Sequence, residues 1–306
     1  MQNTLKNKVS IQGVGLHSGK DITLTLYPAD VDAGITFIRS DITEKDNIIP
    51  AYWDNVVDTQ LCTVIGNKDG VTVATIEHLM SALRGCNIDN VRVELDGAEV
   101  PVMDGSAMPF VNMIEDAGTK NQTKMRKVIR VLKDVTVEKD GKTVTLNPAD
   151  GAVFGGEIEF DHPEIGSQYF ETRLLNGNFK HDIAEARTFG FLHEVEWMRS
   201  QGLALGGSMD NAIILDRDNV MNPDGLRFEN EFIRHKLLDA IGDLYLAGAP
   251  IMGAYDGYKG GHEMNNLILH ALFADESAYE IAELYEVAPA HTLSSTPSVQ
   301  EAHAAA

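Results

Sequence analysis

Residues 231–246 read EFIRHKLLDAIGDLYL, and this stretch decides the fold because it predicts a helix with two chemically different sides. His235, Asp239 and Asp243 recur at four-residue steps and lie within roughly 80° of one another around a helix. The apolar residues on the opposite side are Ile233, Leu237, Ala240, Ile241 and Leu244. One apolar stripe is sufficient for a helix to pack on a core. The second side, with its imidazole and carboxylates, therefore needs a separate explanation.

A second segment, residues 75–78 with the sequence TIEH, repeats this arrangement. The apolar residues on one side of the helix that it begins are Ile76, Leu79, Met80 and Leu83. His78 projects roughly 150° or more from the centre of that stripe, and Glu77 lies between the two sides. The small residues flanking His78 are Ala74, Ser81 and Ala82, which would let another layer approach closely.

Two such helices could face each other through His78, His235 and Asp239. Two histidines and one carboxylate with an open position make a catalytic metal site, and Glu77 beside a ligand is placed like the base of a metallohydrolase. The alternative is a pair of solvated helix faces, since His and Asp at this spacing are common and contribute only tenths of a kcal/mol. From these residues alone both interpretations stay open.

Composition restricts the class of protein. The chain has 306 residues, 43% of them hydrophobic, a net charge of -21 and a mean hydropathy of -0.14. An acidic surface of this size repels nucleic acid and anionic lipid, so we expect neither as a partner. No apolar run approaches a membrane span, and from the polar start MQNTLK we expect no signal peptide. With only Cys62 and Cys86, we expect a cytoplasmic protein without a disulfide framework.

Hydrophobic patterning predicts strands that cluster before helices, which favours an α+β class. We predict two similar layered α/β sandwich domains, residues 1–120 and 127–288, packed through their helices with a metal between them. A polar linker is expected at 118–125 and a mobile tail at 289–306. We predict a helix that ends near Gly85, its C′ residue, and a second that begins at Asp104-Gly105-Ser106. Two further helices are predicted at 189–200 and from near His262.

Six segments, taken together and in order, resemble the zinc-dependent UDP-3-O-acyl-N-acetylglucosamine deacetylases of bacterial lipid A synthesis. They are residues 13–19 (GVGLHSG), 75–79 (TIEHL), 101–106 (PVMDGS), 186–190 (ARTFG), 235–244 (HKLLDAIGDL), and Gly261-His262 with Asn265-Asn266. The resemblance implies hydrolysis of the acetamide of a UDP-linked, 3-O-acylated glucosamine. It also implies that each sandwich domain carries a small insert.

Carried over by position, the resemblance implies specific roles for named residues. The implied Zn²⁺ ligands are His78, His235 and Asp239; the implied catalytic residues are Glu77 as general base, His262 as acid or cationic stabiliser, Asp243 as its partner, and Thr188 and Lys236 at the reacting centre. The implied contacts to uridine diphosphate are Lys259, Phe160 and Lys142. His17, in the Gly-rich segment, is interpreted as a turn residue of small catalytic weight.

The segment 186–212 is the implied insert that encloses the acyl chain of the substrate. The residues expected to line this passage are Phe189, Leu192, Val195, Ala204 and Met209. Read without the resemblance, the same apolar residues are the core face of a short helix and strand. Burial contributes ~0.8 kcal/mol per CH₂, so an acyl chain could dominate affinity.

Two other functions remain open on the sequence. The same donor set could hold Fe²⁺ for oxygen chemistry, as in a non-haem iron enzyme. A metal could also clamp the two domains of a non-catalytic binding module. Under the deacetylase interpretation we expect a monomer whose partner is a small UDP-sugar carrying an acyl chain.

Overall fold

The computed structural model describes residues 1–175 and 177–284 of the chain. The N-terminal unit, residues 1–121, contains β1 (Asn3–Leu5), β2 (Val9–Val14), β3 (Asp21–Pro28), β4 (Ile35–Arg39), β5 (Ile48–Pro50), β6 (Val56–Asp58), β7 (Val64–Gly66), β8 (Thr72–Val73), α1 (Glu77–Gly85), β9 (Val91–Leu95), α2 (Met108–Ala117) and β10 (Thr119–Asn121). A short 3₁₀ turn covers Trp53–Asn55.

The C-terminal unit, residues 127–283, contains β11 (Lys127–Val131), β12 (Val135–Lys139), β13 (Lys142–Asn147), β14 (Ala152–Glu159), β15 (Ser167–Arg173), α3 (Phe179–Asp182), β16 (Phe189–Phe191), α4 (Leu192–Ser200), β17 (Ile213–Leu215), α5 (Glu231–Leu244), β18 (Ile251–Tyr258), α6 (His262–Ala274) and β19 (Tyr279–Glu283). A 3₁₀ turn, Tyr245–Ala247, extends α5 to Gly248, which has a φ of 84°. The α+β class predicted from the sequence is confirmed.

The main sheets of the two units share one topology. In the first, β2, β3, β9, β4 and β5 are neighbours in that order, and only the β9–β4 pair is parallel. In the second, five of the seven strands, β12, β13, β18, β14 and β15, follow the same order with a parallel β18–β14 pair. The other two are β11, which also pairs in parallel with β18, and β19, which pairs with β11. One helix precedes the central strand and one follows it in each unit, namely α1 and α2 around β9 and α5 and α6 around β18. The domain boundaries at 120 and 127 remain a prediction.

Alternating polarity explains why each sheet has one packed face. Along β3 every second residue is buried, as it is along β4, so the period of two places Leu24, Leu26 and Phe37 in the core. Small additional elements occupy equivalent places: the β6–β7–β8 sheet before α1, and the parallel pair β16–β17 with α4 before α5. No helix in the described part of the chain is both long and apolar enough to cross a membrane.

Four local predictions are corrected by the structure. Phe189–Phe191 is a strand because it pairs in parallel with Ile213–Leu215, so the predicted helix begins only at Leu192. The 118–125 segment is not merely a linker, since Thr119–Asn121 pairs with Asn3–Leu5.

The other two corrections concern helix ends. Asp104 accepts hydrogen bonds from the Ser106 backbone and hydroxyl, which makes a turn there, and α2 starts at Met108. Gly85 is the last residue of α1 rather than C′, and a Cβ on it would lie 2.1 Å from the Phe179 ring. The predicted mobile tail, and residues 285–288 of the second predicted domain, lie outside the described residues.

Candidate metal centre

A close crossing of α1 and α5 brings the two polar helix sides together. A Cβ on Gly242 of α5 would lie 2.1 Å from the Glu77 backbone oxygen and 3.0 Å from the Ser81 nitrogen. Only glycine allows this approach, which explains a residue that otherwise costs about 1 kcal/mol inside a helix. The close approach expected from the small residues beside His78 is therefore found, with Ser81 fully buried at the crossing.

His78, His235 and Asp239 converge at this crossing. Their ligand atoms lie within 4.8 Å of one another, and all three residues are buried. Asp239 Oδ1 is 3.4 Å from Nε2 of His235 and 3.7 Å from Nε2 of His78. This Oδ1 has no hydrogen-bond donor although it is inaccessible to solvent. A buried carboxylate oxygen facing two imidazole nitrogens fits a divalent metal ion, which would satisfy all three.

The backbone fixes the orientation of His235. Its Nδ1 lies 3.0 Å from the Ala186 carbonyl oxygen, to which it donates because a carbonyl only accepts, so Nε2 is left with a free lone pair. The segment carrying Ala186 is held by a buried ion pair, since Arg187 donates from its backbone, Nε and Nη2 to the Glu231 carboxylate. Glu231 is fully buried at the start of α5.

Burial favours the protonation states that a metal requires. It lowers the pKa of His78 to about 3 and also lowers that of His235, so both imidazoles are neutral near pH 7. For Asp239, burial alone would raise the pKa, but the charges of His235, Lys236 and neighbouring groups lower it below the ordinary value. The site thus offers two neutral nitrogens and one carboxylate.

Glu77 and His262 form a second group beside the first, together with Asp243. Their ligand atoms also lie within 4.8 Å of one another. Burial raises the pKa of Glu77 to about 8, and a nearby cation would lower it again. Burial alone would lower the pKa of His262, but the charge and hydrogen bond of Asp243 outweigh it and raise the pKa to about 9.

A buried hydrogen-bond network holds Asp243. His262 Nδ1 and Asn265 Nδ2 each donate to Asp243 Oδ2 at 2.9 Å. The Thr63 hydroxyl donates to Oδ1 at 2.6 Å, and the Thr63 backbone nitrogen donates to Glu77 at 3.1 Å. Tyr255 in turn donates to Asn265 at 2.7 Å. Thr63 thus contacts both carboxylates of this second group.

Sequence reasoning missed the supporting roles of Thr63, Tyr255 and the Arg187–Glu231 pair. Thr63 and Asp243 are 180 positions apart, and Arg187 and Glu231 are 44 apart. Neither pair has a spacing that any local pattern could reveal. Asn265 lies in one of the six segments that carry the resemblance, but the sequence indicated no role for it.

Thr188 and Lys236 lie at the edge of the centre. Lys236 Nζ is 3.3 Å from Asp239 Oδ2, and its side chain is partly exposed. The Thr188 backbone donates to Gly105 O and accepts from Ile213 N, both at 2.8 Å. Gly105 has a φ of 82°, and a Cβ there would lie 2.2 Å from the Asn211 oxygen, so glycine is required for this contact.

An apolar cavity of about 330 Å³ opens beside Thr188. All five residues predicted for the acyl passage line it, namely Phe189, Leu192, Val195, Ala204 and Met209. The Phe189 ring is 6.5 Å from that of His235, so this residue separates the cavity from the centre. Of the apolar residues that line it, Met209 is about half exposed.

The three residues predicted to contact uridine diphosphate lie on the second sheet and beyond its strand ends. Phe160 packs edge-on against Phe189 at 5.8 Å between ring centroids. Lys259 follows β18, and its Nζ pairs with Glu159 at 2.8 Å. Lys142 begins β13 next to Thr143, which pairs with Tyr258, so both lysines lie near one sheet edge. Their contact with a nucleotide remains a prediction.

The fold and site define a class: an α+β protein with a buried two-histidine, one-aspartate centre of the kind found in metal-dependent hydrolases. Residues 2–274 match the family described as UDP-3-O-acyl N-acetylglycosamine deacetylase. The chain belongs to this family, and the resemblance seen in the sequence is confirmed.

Several relatives are similar over most of their length. The UDP-3-O-acyl-N-acetylglucosamine deacetylase of a Nitratiruptor species is 49% identical over 282 residues, 92% of this chain and 93% of the relative. That of Aliarcobacter butzleri is 49% identical over 286 residues, 93% of this chain and 94% of the relative. That of Neisseria meningitidis serogroup B is 47% identical over 289 residues, 92% of this chain and 93% of the relative.

Proposed function

We propose that this protein hydrolyses the acetamide of UDP-3-O-acyl-N-acetylglucosamine, giving UDP-3-O-acyl-glucosamine and acetate in lipid A biosynthesis. Family membership supports this reaction. The observation that carries the proposal is the juxtaposition of a buried donor set, a carboxylate, a His–Asp pair and an apolar cavity in one place. The donor set would bind a metal ion that polarises the amide, the carboxylate could accept a proton, and the His–Asp pair could donate one. The apolar cavity could hold the acyl chain.

The metal is proposed to be Zn²⁺, held by His78, His235 and Asp239. When bound, such an ion polarises a carbonyl and lowers the pKa of water towards ~7. The same donor set suits Fe²⁺ as well, so the metal loaded in cells remains to be measured. Glu77 beside a ligand supports hydrolysis over oxygen chemistry, which needs no such base.

Glu77 is proposed as the general base that takes a proton from the attacking water. The Thr63 backbone N–H donates to its carboxylate at 3.1 Å and so helps to hold it in place. A cation held by the neighbouring donor set would keep this buried carboxylate ionised near neutral pH, because it would oppose the effect of burial on the pKa of Glu77.

His262 is proposed as the acid that protonates the leaving nitrogen. Its pKa of about 9 keeps the imidazole protonated near neutral pH, and Asp243 fixes the ring by accepting from Nδ1. Nε2 is then the atom that can donate. The Thr188 hydroxyl would stabilise the developing oxyanion, and one such donor typically contributes about 3 kcal/mol.

Substrate affinity is proposed to come from two regions. The cavity takes the acyl chain, since its lining is apolar and each buried CH₂ contributes ~0.8 kcal/mol. Lys236, Lys259 and Lys142 offer local positive charge in a chain of net charge -21, with Phe160 as an aromatic neighbour. We further propose that the protein acts in the cytoplasm as a monomer.

The decisive experiment measures acetate release from UDP-linked 3-O-acyl-N-acetylglucosamines of several chain lengths, with and without a chelator. We expect chelator-sensitive release that Zn²⁺ restores, without oxygen consumption. Release of acetate unaffected by chelation would contradict the metal assignment. Oxygen consumption would favour the iron enzyme, and binding without turnover would favour a binding module.

A further inference from the structure

The strongest feature left unexplained is the imidazole of His17. Both of its ring nitrogens are buried and have no hydrogen-bond partner. Burying unsatisfied polar atoms costs stability, so a native side chain in this state calls for a missing partner. His17 lines the apolar cavity beside Thr188. Within the described residues it is the one lining side chain with such orphaned atoms.

The loop that carries His17 is built to hold it in place. Glu99, itself buried, accepts from the His17 backbone nitrogen at 2.9 Å and from the Ser18 nitrogen at 3.0 Å. The same carboxylate accepts from the Thr75 hydroxyl at 3.2 Å, directly before α1. A Cβ on Gly15 would lie 2.4 Å from a Glu99 oxygen, so glycine is required for the loop to close over this acid.

The insert that forms the cavity clamps the other side of this loop. Leu205 N donates to His17 O at 3.2 Å, and Gly206 N donates to Leu16 O at 3.0 Å. A Cβ on Gly206 would lie 2.3 Å from the Gly15 oxygen. The backbone that carries the imidazole is therefore fixed between two parts of the chain.

Two other polar side chains of the cavity, Arg199 and Ser208, are already engaged. Arg199 donates to Gly207 O at 2.8 Å, and the Ser208 hydroxyl accepts from Asp210 N at 3.2 Å. Burial lowers the pKa of His17, against the charge of Glu99, so the ring is neutral and offers one N–H donor and one nitrogen acceptor.

We propose that His17 hydrogen-bonds an oxygen on the acyl group of the substrate and thereby helps to select that group. This assignment rests on the proposed function, which supplies an acyl chain as the occupant of the cavity. Two oxygens share the required chemistry: the ester carbonyl of any 3-O-acyl group, which can only accept, and a hydroxyl on the chain, which can donate and accept. A fully aliphatic occupant would leave His17 unsatisfied.

The test compares wild type with His17→Phe, which keeps an aromatic ring but no nitrogen, and with His17→Asn and His17→Gln, whose amides place a hydrogen-bonding group near Nδ1 or Nε2. Substrates are UDP-linked and of equal acyl length, one unsubstituted and others hydroxylated at carbon two, three or four. His193→Phe, an exposed histidine on α4, is the matched control.

We expect His17→Phe to lose roughly tenfold in kcat/KM, as for one hydrogen bond to substrate. Its Tm should equal or exceed that of wild type, because two unsatisfied nitrogens are removed. Partial rescue by Asn or Gln is expected. A loss confined to one hydroxylated chain assigns the contact to that hydroxyl, and an equal loss on all chains assigns it to the ester carbonyl.

An unchanged kcat/KM on every substrate overturns the proposal. So does a loss that comes with a lower Tm and that neither amide rescues, because His17 would then be structural. Calorimetric titration of the same substrates separates this result from failure of the proposed function. If wild type binds the acyl compounds but releases no acetate, the function fails, while the affinity ratio of wild type to His17→Phe still tests the contact.

Discussion

Helices α1 and α5 occupy equivalent places in two sheets of the same order, yet they contribute different groups. The N-terminal unit supplies Glu77 and His78, both in the first turn of α1. The C-terminal unit supplies His235, Asp239 and Asp243 along α5, and then His262 at the start of α6.

The helices that follow the central strands differ even more. The first residue of α2 is the apolar Met108, and its first turn has no acidic residue. The first residue of the equivalent α6 is His262, the proposed acid. The proposed base therefore belongs to one unit, the proposed acid to the other, and the donor set to both. A repeated topology provides a crossing of two helices, and unequal side chains at that crossing provide the chemistry.

The largest expected effect is loss of metal when either unit loses its ligand. His78→Ala and His235→Ala should each reduce bound metal to a small fraction of one equivalent, because two donors hold an ion far less tightly than three. Elemental analysis after dialysis measures this, with His181→Ala on α3 as the control. One equivalent retained by His78→Ala would exclude α1 from the metal site.

Loss of the base should leave the metal in place. Glu77→Gln keeps the side-chain shape but cannot accept a proton, so kcat should fall by roughly 10²–10⁴-fold. Metal content and substrate affinity should stay near those of wild type. Turnover that survives this change would show that the N-terminal unit contributes only a ligand.

The acid of the C-terminal unit predicts a pH dependence. Because the folded pKa of His262 is raised to about 9, its protonated form is present below that value and is lost as pH rises through it. Asp243→Asn removes the raising charge, burial then dominates, and the alkaline limb of kcat should move to lower pH. An alkaline limb at the same pH in both proteins would assign the limb to another group.

Thr63 contacts Glu77 of the N-terminal unit and Asp243 of the C-terminal unit. Removing its hydroxyl therefore tests whether the two units are coupled at the site. Thr63→Val removes the bond to Asp243 and should lower kcat roughly tenfold with little change in KM, as for one buried hydrogen bond. Thr63→Ser should restore most of the rate. Thr172→Val, which also removes a buried threonine-to-aspartate contact, is the control for stability alone. If Thr63→Val and Thr172→Val have the same kcat, Thr63 does not position the catalytic groups.

The smallest expected effect concerns the cavity. Ala204 has a φ of 51°, so Ala204→Gly both widens the passage and relieves backbone strain. We expect a slightly higher Tm and a few-fold shift towards longer acyl chains. Asp140→Gly, at an exposed turn with the same φ, relieves strain without touching the cavity. An acyl profile unchanged in Ala204→Gly would remove this residue from the passage wall.

Features with a local signal were predictable from the sequence. Helix α5, predicted from residues 231–246, carries both its apolar stripe and its polar series at helical spacing. The meeting of His78 and His235 was one of two interpretations of the polar helix sides, and the structure brings these residues together. Chemistry and packing pointed to the same faces.

Features that depend on distant partners were not predictable. Phe189–Phe191 lies directly before helix α4, and its pairing with the distant Ile213–Leu215 makes it a separate strand. Gly85 signalled a helix end, but the reason for the glycine is the Phe179 ring from the other unit. The anchors Thr63 and Glu231 carry no motif, because their significance lies wholly in what they contact.

The glycine at position 242 also determines how a substrate can enter. The α1 backbone is in contact with α5 at that point. The two helices therefore cannot slide past each other or separate without losing van der Waals packing. Access must instead come from the flank where Lys236 and His262 remain 29% and 11% exposed, while the ligand side chains there are at most 5% exposed. Entry is thus lateral, past Lys236 and His262, and the donor set lies at the closed end.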